Sequence, residues 1–212
     1  MTNWELSKPI IEKHGAITLE VPKSILKWLK EAAVRAKKNS KYANKDLIGH
    51  IKEEYYYTER SDKFEEFLYK KCLLQKNILN YTNSLKILFK SAPFRLSDMW
   101  VNFQKKHEFN PPHKHSGIYS FVIYLKIPFD LEKEESLYPT LNNEGQNHTS
   151  KFAFLNTNTL GRIFVQCLNV DKSFEGKIIM FPAEQLHTVF PFYTSADYRI
   201  SVSGNIRLYN EN

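Results

Sequence analysis

Apolar residues fall at two different periods along this chain, and the change of period divides it. Within the first 93 residues two stretches are spaced helically. Ile25, Leu26, Leu29, Ala32, Ala33 and Ala36 recur three and four apart behind Pro22, a residue suited to the start of a helix. An amphipathic helix is the expectation. A second helix is predicted after Ser61, with Asp62 in its first turn and Phe64, Phe67, Leu68, Leu74 and Ile78 on its buried side, running raggedly toward Leu88. Asp46 to Glu59 follows neither pattern, and its Tyr55-Tyr56-Tyr57 cluster reads as packing.

From about Phe94 the period becomes two. Val101 and Phe103 alternate with Asn102 and Gln104, and Ile118 to Ile127 is rich in β-branched and aromatic residues up to Pro128. Further strands are expected at Lys151 to Asn156, Arg162 to Leu168, Lys177 to Phe181 and Tyr198 to Arg207, separated by turn material such as Glu175-Gly176. The last of these has an apolar face of Tyr198, Ile200, Val202 and Ile206 and a wholly polar face of Arg199, Ser201, Ser203, Asn205 and Arg207. Such a strand is ordinarily half exposed. In a small barrel that holds a ligand, the polar face points inward instead. Asp130 to Ser150 shows no periodicity and reads as a long loop, a candidate lid over a site.

At 212 residues with 42% hydrophobic content the chain is long enough for one sizeable core. The stretch Met1 to Glu20 is broken by Glu5, Lys8, Glu12, Lys13 and His14, which excludes a signal-peptide core or membrane span there. Two cysteines, Cys72 and Cys167, make no disulfide framework. A soluble protein of a reducing, cytoplasmic compartment is expected. The net charge of +7 is unevenly placed, because residues 1–95 carry 19 basic and 11 acidic groups while residues 96–212 carry 11 and 12. Within Lys23 to Lys45 eight basic residues face the single acid Glu31. That segment reads as a solvated helix face, with an acidic partner or nucleic acid as the alternative.

The candidate chemistry lies in the second half. Asn110-Pro-Pro-His-Lys-His-Ser-Gly117 brings His113 and His115 two residues apart, which on a strand puts both rings on one face, the arrangement of a metal clamp. Pro111 and Pro112 stiffen the approach and Gly117 allows a tight bend. A third histidine, His187, follows a Phe-Pro turn, and Arg199 stands twelve residues beyond it. Three imidazoles can hold one divalent metal while leaving coordination positions open.

The order His-x-His, then Gly176-x-x-x-x-Phe-Pro-x-x-x-x-His187, then Arg199 on the last strand resembles the Fe(II)- and 2-oxoglutarate-dependent oxygenases, in particular the prolyl-hydroxylase-like branch. The 110–117 segment, Tyr-Leu-Lys-Ile-Pro at 124–128 and Tyr-Arg-Ile-Ser-Val-Ser-Gly-Asn at 198–205 are similar to a subgroup found in marine tailed phages, which would place the protein in a host cytoplasm. The resemblance spans about residues 94–208. It implies an α+β protein with a double-stranded β-helix (jelly-roll) core over 94–212 and an N-terminal helical region, 1–93, packed on it as part of the same unit. It further implies Fe(II) at His113, His115 and His187, with 2-oxoglutarate and O2 as cosubstrates. Arg199 would take the far carboxylate of 2-oxoglutarate through its planar fork, assisted by Tyr124 and Ser201. The implied reaction is hydroxylation of a substrate carbon with release of succinate and CO2. A prolyl residue of a peptide or protein is the substrate by analogy, and a small molecule stays open.

One departure from the family pattern matters. Most members carry Asp or Glu where this chain has His115. Either His115 is the third ligand, or a carboxylate such as Glu108 completes the triad. Two other readings compete. A cupin-type dioxygenase would use the same histidines without 2-oxoglutarate, but the Glu that cupins place a few residues after His-x-His is missing from Ile118 to Ile123. A non-catalytic module would dock through the basic helix and keep the barrel as scaffold. Arg199 has a task only in the oxygenase.

Overall fold

A computed structural model describes residues 10–11, 15–79, 93–140 and 147–209, without side chains for 10–11 and 75–79. The strands are β1 (Ile10–Ile11), β2 (Ile17–Glu20), β3 (Glu54–Tyr56), β4 (Phe94–Gln104), β5 (Asn110–His113), β6 (Tyr119–Lys126), β7 (Phe152–Thr157), β8 (Ile163–Leu168), β9 (Lys177–Pro182), β10 (His187–Val189) and β11 (Arg199–Leu208). The helices are α1 (Lys23–Asn39), α2 (Asp62–Leu79) and α3 (Leu131–Ser136). Seven strands form a major sheet in the order β1-β2-β9-β6-β11-β4-β3, and four form a minor sheet in the order β5-β10-β7-β8. The two antiparallel sheets face one another as a jelly roll, the fold that the family resemblance implied, while the change of period marked its β-rich second half. Residues before 94 supply more than helices, because β1 and β2 extend the major sheet beyond β9 and β3 forms its opposite edge.

The alternation along β6 explains the layering. Tyr119, Phe121, Ile123 and Leu125 face outward into a core shared with Ile25, Leu29, Ala32 and Ala36 of α1 and Phe64, Phe67 and Leu68 of α2. Val122 and Tyr124 face inward, where they join Phe152 and Phe154 of the minor sheet and Phe181 of β9. Helix α1 follows Pro22, whose carbonyl accepts from the Leu26 amide at 2.9 Å, and stops at Ser40 in the left-handed region, φ 54°. At the start of α2 the Ser61 hydroxyl accepts from the Phe64 amide at 3.4 Å. Leu74 is partly buried as expected, whereas the continuation toward Leu88 lies outside the described residues.

The stretch expected as a loop over 130–150 begins with a helix, and its residues 141–146 lie outside the described residues. Asp130 caps the Lys133 amide at 3.2 Å and opens α3. Within it Glu134 is fully buried and accepts from the Tyr193 and Thr194 amides at 3.0 and 2.7 Å and from the Thr194 hydroxyl at 2.5 Å. A six-residue helix rich in charge carries no apolar stripe, so periodicity could not reveal it.

Gly204 in β11 is the point on which the outer layer closes. A Cβ there would lie 2.6 Å from the Asp98 carbonyl oxygen and 2.7 Å from the Phe121 ring, so the ring rests on bare backbone. Phe121 in turn meets Phe64 of α2 edge-on at 5.9 Å. Gly204→Ala is expected to cost ~1–3 kcal/mol through overpacking, read as a lowered urea midpoint at unchanged slope. An unaltered midpoint would mean that the ring moves aside freely.

Candidate metal centre

The metal site is built on the minor sheet. His113 closes β5 and His187 opens β10, and the register makes them direct cross-strand partners. The ladder shifts between His187 and Val189, where the two prolines of β5 occupy the bulged stretch. Proline lacks an N–H, and β5 tolerates the pair because it is the sheet edge. His115 lies beyond the strand, so the sequence argument of alternate residues on one β-face does not apply to it. Its place is set instead by its amide, which donates to the Ala183 carbonyl at 2.9 Å. The bend that follows requires Gly117, φ 126°, where a Cβ would approach the Ile206 carbonyl to 2.8 Å.

The ring centroids are 4.2 Å apart for His113–His187, 4.9 Å for His113–His115 and 5.1 Å for His115–His187. One nitrogen from each ring lies within 4.8 Å of the others, close enough to converge on a single ion. His113 Nδ1 stands 2.8 Å from the Pro111 carbonyl and His187 Nδ1 2.9 Å from the Gln185 carbonyl. A carbonyl only accepts, so each Nδ1 carries the hydrogen and each Nε2 keeps its lone pair. Phe152 stacks on the His187 ring at 5.6 Å and Phe181 meets its edge at 4.8 Å, which keeps that side dry. Burial depresses all three imidazoles, His115 to about 4 and His187 well below its usual value, with the neighbouring imidazoles adding to the effect on those two. At neutral pH the site presents three uncharged nitrogen donors, a set that fits a borderline divalent metal. Glu108 does not join them. Its carboxylate accepts from the Lys105 amide at 2.8 Å and closes the β4–β5 turn.

Across the cavity stands Arg199, fully buried at the start of β11. Gln104, its cross-strand partner on β4, receives Nε at 2.9 Å and Nη2 at 2.7 Å on one oxygen. The Ser150 and Phe190 carbonyls accept from Nη1 and Nη2 at 2.6 and 2.9 Å, and the Phe129 and Phe192 rings flank the guanidinium. All these partners are neutral. Among the described residues Arg199 has no carboxylate in ion-pair range, and burial lowers its pKa to about 10 while Tyr124 and Glu134 act on it only through space. Tyr124 is buried, its hydroxyl pushed up to about 12 by desolvation. The Ser201 hydroxyl accepts from Asn102 Nδ2 at 3.1 Å and keeps its own hydrogen to donate.

His113, His115, His187, Arg199, Tyr124 and Ser201 all line one cavity, which holds about 590 Å³ counting its open mouth. Of the polar face of β11, Arg199, Ser201 and Ser203 point into the cavity as the small-barrel reading expected, whereas Asn205 bonds Ser120 and Arg207, past the register shift, is exposed. Three contributors were not foreseen from the sequence: Gln104, which orients Arg199; Glu54 on β3; and the apolar mouth of Leu47, Ile48 and Ile51. Gln104 already stood on the polar face of an alternating strand, and only the strand pairing was needed to find it. Leu47 to Glu54 has no periodicity that could have marked it.

Residues 98–205, about half the chain, match the family described as "Putative 2OG-Fe(II) oxygenase", and the chain belongs to this family of 2-oxoglutarate- and Fe(II)-dependent oxygenases. The fold is similar to a prolyl-4-hydroxylase of Pseudomonas putida, with TM-score 0.56 and 14% identity over 93% of this chain and 95% of that one. It is also similar to the viral collagen prolyl hydroxylase of Paramecium Bursaria Chlorella virus-1, solved as a 2OG complex, with TM-score 0.53 and 14% identity over 93% and 98%. AviO1 from Streptomyces viridochromogenes reaches TM-score 0.53 at 9% identity over 93% and 91%. At these identities the likeness is one of fold. The sequence matches no curated protein. These matches do not bear on the phage subgroup. Among the described residues no helix is long and apolar enough to cross a membrane.

The histidine triad makes the metal-free protein acid-sensitive with a defined sign. A group whose pKa is depressed on folding takes up protons more readily when unfolded, so its stabilisation is complete above about 6.5 and is lost as pH falls toward the folded value, about 4 for His115. The melting temperature of metal-free protein should fall between pH 7 and 5, and less steeply when all three histidines are replaced by Asn. Parallel pH profiles would show that the imidazoles are not the groups responsible.

Proposed function

We propose that this protein is an Fe(II)- and 2-oxoglutarate-dependent dioxygenase that hydroxylates a substrate carbon and releases succinate and CO2. The observation that carries the reading is Arg199, a buried guanidinium without a carboxylate partner among the described residues, in the same cavity as three uncharged imidazoles whose nitrogens converge. Bound ferrous iron and 2-oxoglutarate would supply the activation of O2. His113, His115 and His187 would hold the metal, and because all three are neutral, a dianionic cosubstrate would offset the ion's charge. Arg199 would neutralise the far carboxylate. Gln104 holds the plane of the guanidinium, so the carboxylate would be met on the Nη1 side, where one N–H is uncommitted, or would displace the Gln104 carboxamide. The Tyr124 and Ser201 hydroxyls would donate to the same group, Tyr124 staying protonated through neutral pH. Phe129 and Phe192 on one side and Phe152 and Phe181 on the other would exclude water.

Two fold neighbours are prolyl hydroxylases, which makes a prolyl residue of a peptide or protein one substrate reading. A role for the basic helix in recruiting nucleic acid or an acidic protein has less support, since Arg35 and Lys37 are already paired with Glu59 and Glu53.

Calorimetry with redox-inert Mn(II) in place of iron tests the reading. His113→Ala and His187→Ala should each abolish the stoichiometric metal heat while the fold survives. His115→Asp should keep it, and undiminished metal affinity in His115→Ala would remove His115 from the triad. With metal bound, Arg199→Lys should weaken 2-oxoglutarate at least tenfold, because one charge-assisted hydrogen bond is worth roughly 1.5–3 kcal/mol. Succinate should compete in the parent and much less in the variant. Equal 2-oxoglutarate affinity in the two proteins would overturn the assignment.

A further inference from the structure

The cavity has two chemically different ends. Tyr124, Ser201, Asn102 and Glu54 are successive cross-strand neighbours on β6, β11, β4 and β3, a single row across the cavity wall. At the β6–β11 end the side chains donate: the Arg199 guanidinium and the Tyr124 and Ser201 hydroxyls. At the β3 end they accept. Glu54 retains only 2% exposure, yet it lines the cavity. Its Oε2 accepts from Asn44 Nδ2 at 3.2 Å, while Oε1 receives no hydrogen bond among the described residues. Beside it Asn102 commits its amide nitrogen to Ser201 and Ser203, which leaves Oδ1 buried without a donor. Asn110 of β5, also on the cavity wall, leaves its Oδ1 in the same state.

A buried carboxylate with no cation in range is unfavourable, and the group responds. Burial, reinforced by the like charge of Glu108, pushes the Glu54 carboxyl up to about 7. A cationic donor placed against Oε1 would reverse that cost and satisfy the neighbouring orphan acceptor at the same time. Leu47, Ile48 and Ile51, just before β3, line the same end with aliphatic side chains. They suit an apolar stem.

We infer that Glu54 recognises the substrate, and that the substrate presents a cationic nitrogen on an aliphatic stem, the chemistry of a lysine or arginine side chain. This rests on the oxygenase reading, in which Arg199, Tyr124 and Ser201 are taken by the cosubstrate and the β3 end is left to the substrate. The prolyl reading is the competitor, since a prolyl ring offers neither charge nor N–H.

The test uses full-length protein loaded with Mn(II) and 2-oxoglutarate, titrated with the Nα-acetyl methylamides of lysine, arginine, norleucine and proline. Norleucine keeps the stem and removes the charge. At least one of the two cationic derivatives should bind about tenfold or more tighter than norleucine, and in Glu54→Gln that advantage should shrink to about twofold or less. Equal binding of lysine, arginine and norleucine derivatives, tighter binding of the proline derivative, or a cation preference that survives Glu54→Gln would each overturn the inference. Should Glu54→Gln fold poorly, the comparison of cationic derivatives with norleucine in the parent decides. The 2-oxoglutarate titration is read separately. If it shows no binding, the oxygenase reading fails, and the Glu54 preference is judged by the same comparison in protein loaded with Mn(II) alone.

Discussion

A guanidinium buried in a largely aromatic interior has to be compensated, and much of the architecture around the cavity does so. The acceptors of Arg199 come from three separate places: Gln104 at the end of β4, Ser150 at the threshold of β7, and Phe190 just beyond β10. The first belongs to the major sheet and the other two border the minor one. Satisfying one charge therefore ties the two layers together at the open end of the jelly roll. The rest of that end is held by Glu134, whose buried carboxylate gathers the 193–194 backbone between β10 and β11. Both devices use hydrogen bonds where a small domain more often uses apolar packing, and both leave the local backbone dependent on a single side chain.

The metal side follows a different logic. There the sheet register makes His113 and His187 cross-strand partners, a local contact two residues back along the chain fixes each ring's tautomer, and aromatic burial keeps the rings uncharged. The imidazoles are thus oriented by backbone geometry, whereas the guanidinium is held by side-chain and carbonyl acceptors. The protein holds a neutral donor set and a positive charge facing each other in one cavity, which is what a chelating dianion would bridge.

The periods of two and about 3.6 gave the two long helices and the six longest strands, which are long enough to show a period. Strands β2, β3 and β10 and helix α3 escaped, being too short or too charged to show periodicity, and β5 was anticipated only as the carrier of the His-x-His pair. The inward turn of Arg199, Ser201 and Ser203 was visible as a polar face on the last strand, although a polar face by itself does not say whether it meets solvent or a cavity. His115 does stand beside the other two imidazoles, but not for the reason its spacing suggested: it reaches them from a bend pinned by Ala183 and Gly117, not from alternation along a strand. Gln104 and Glu54 needed the pairing of β4 with β11 and of β3 with β4, contacts between segments 40 to 100 residues apart that no local pattern encodes.

The prolines of β5 have an effect that reaches beyond the cavity. Pro111 and Pro112 stand on one edge of the minor sheet, and neither offers an N–H to a strand laid alongside. That edge is a poor template for another chain. The opposite edge, β8, has no such protection: Ile163 is 73% exposed, and Phe164 and Val165 beside it are also open to solvent. The two borders of the sheet are thus unequal. Among the described residues of this sheet, β8 is the border open to an added strand, and the border that carries His113 is the one closed to it.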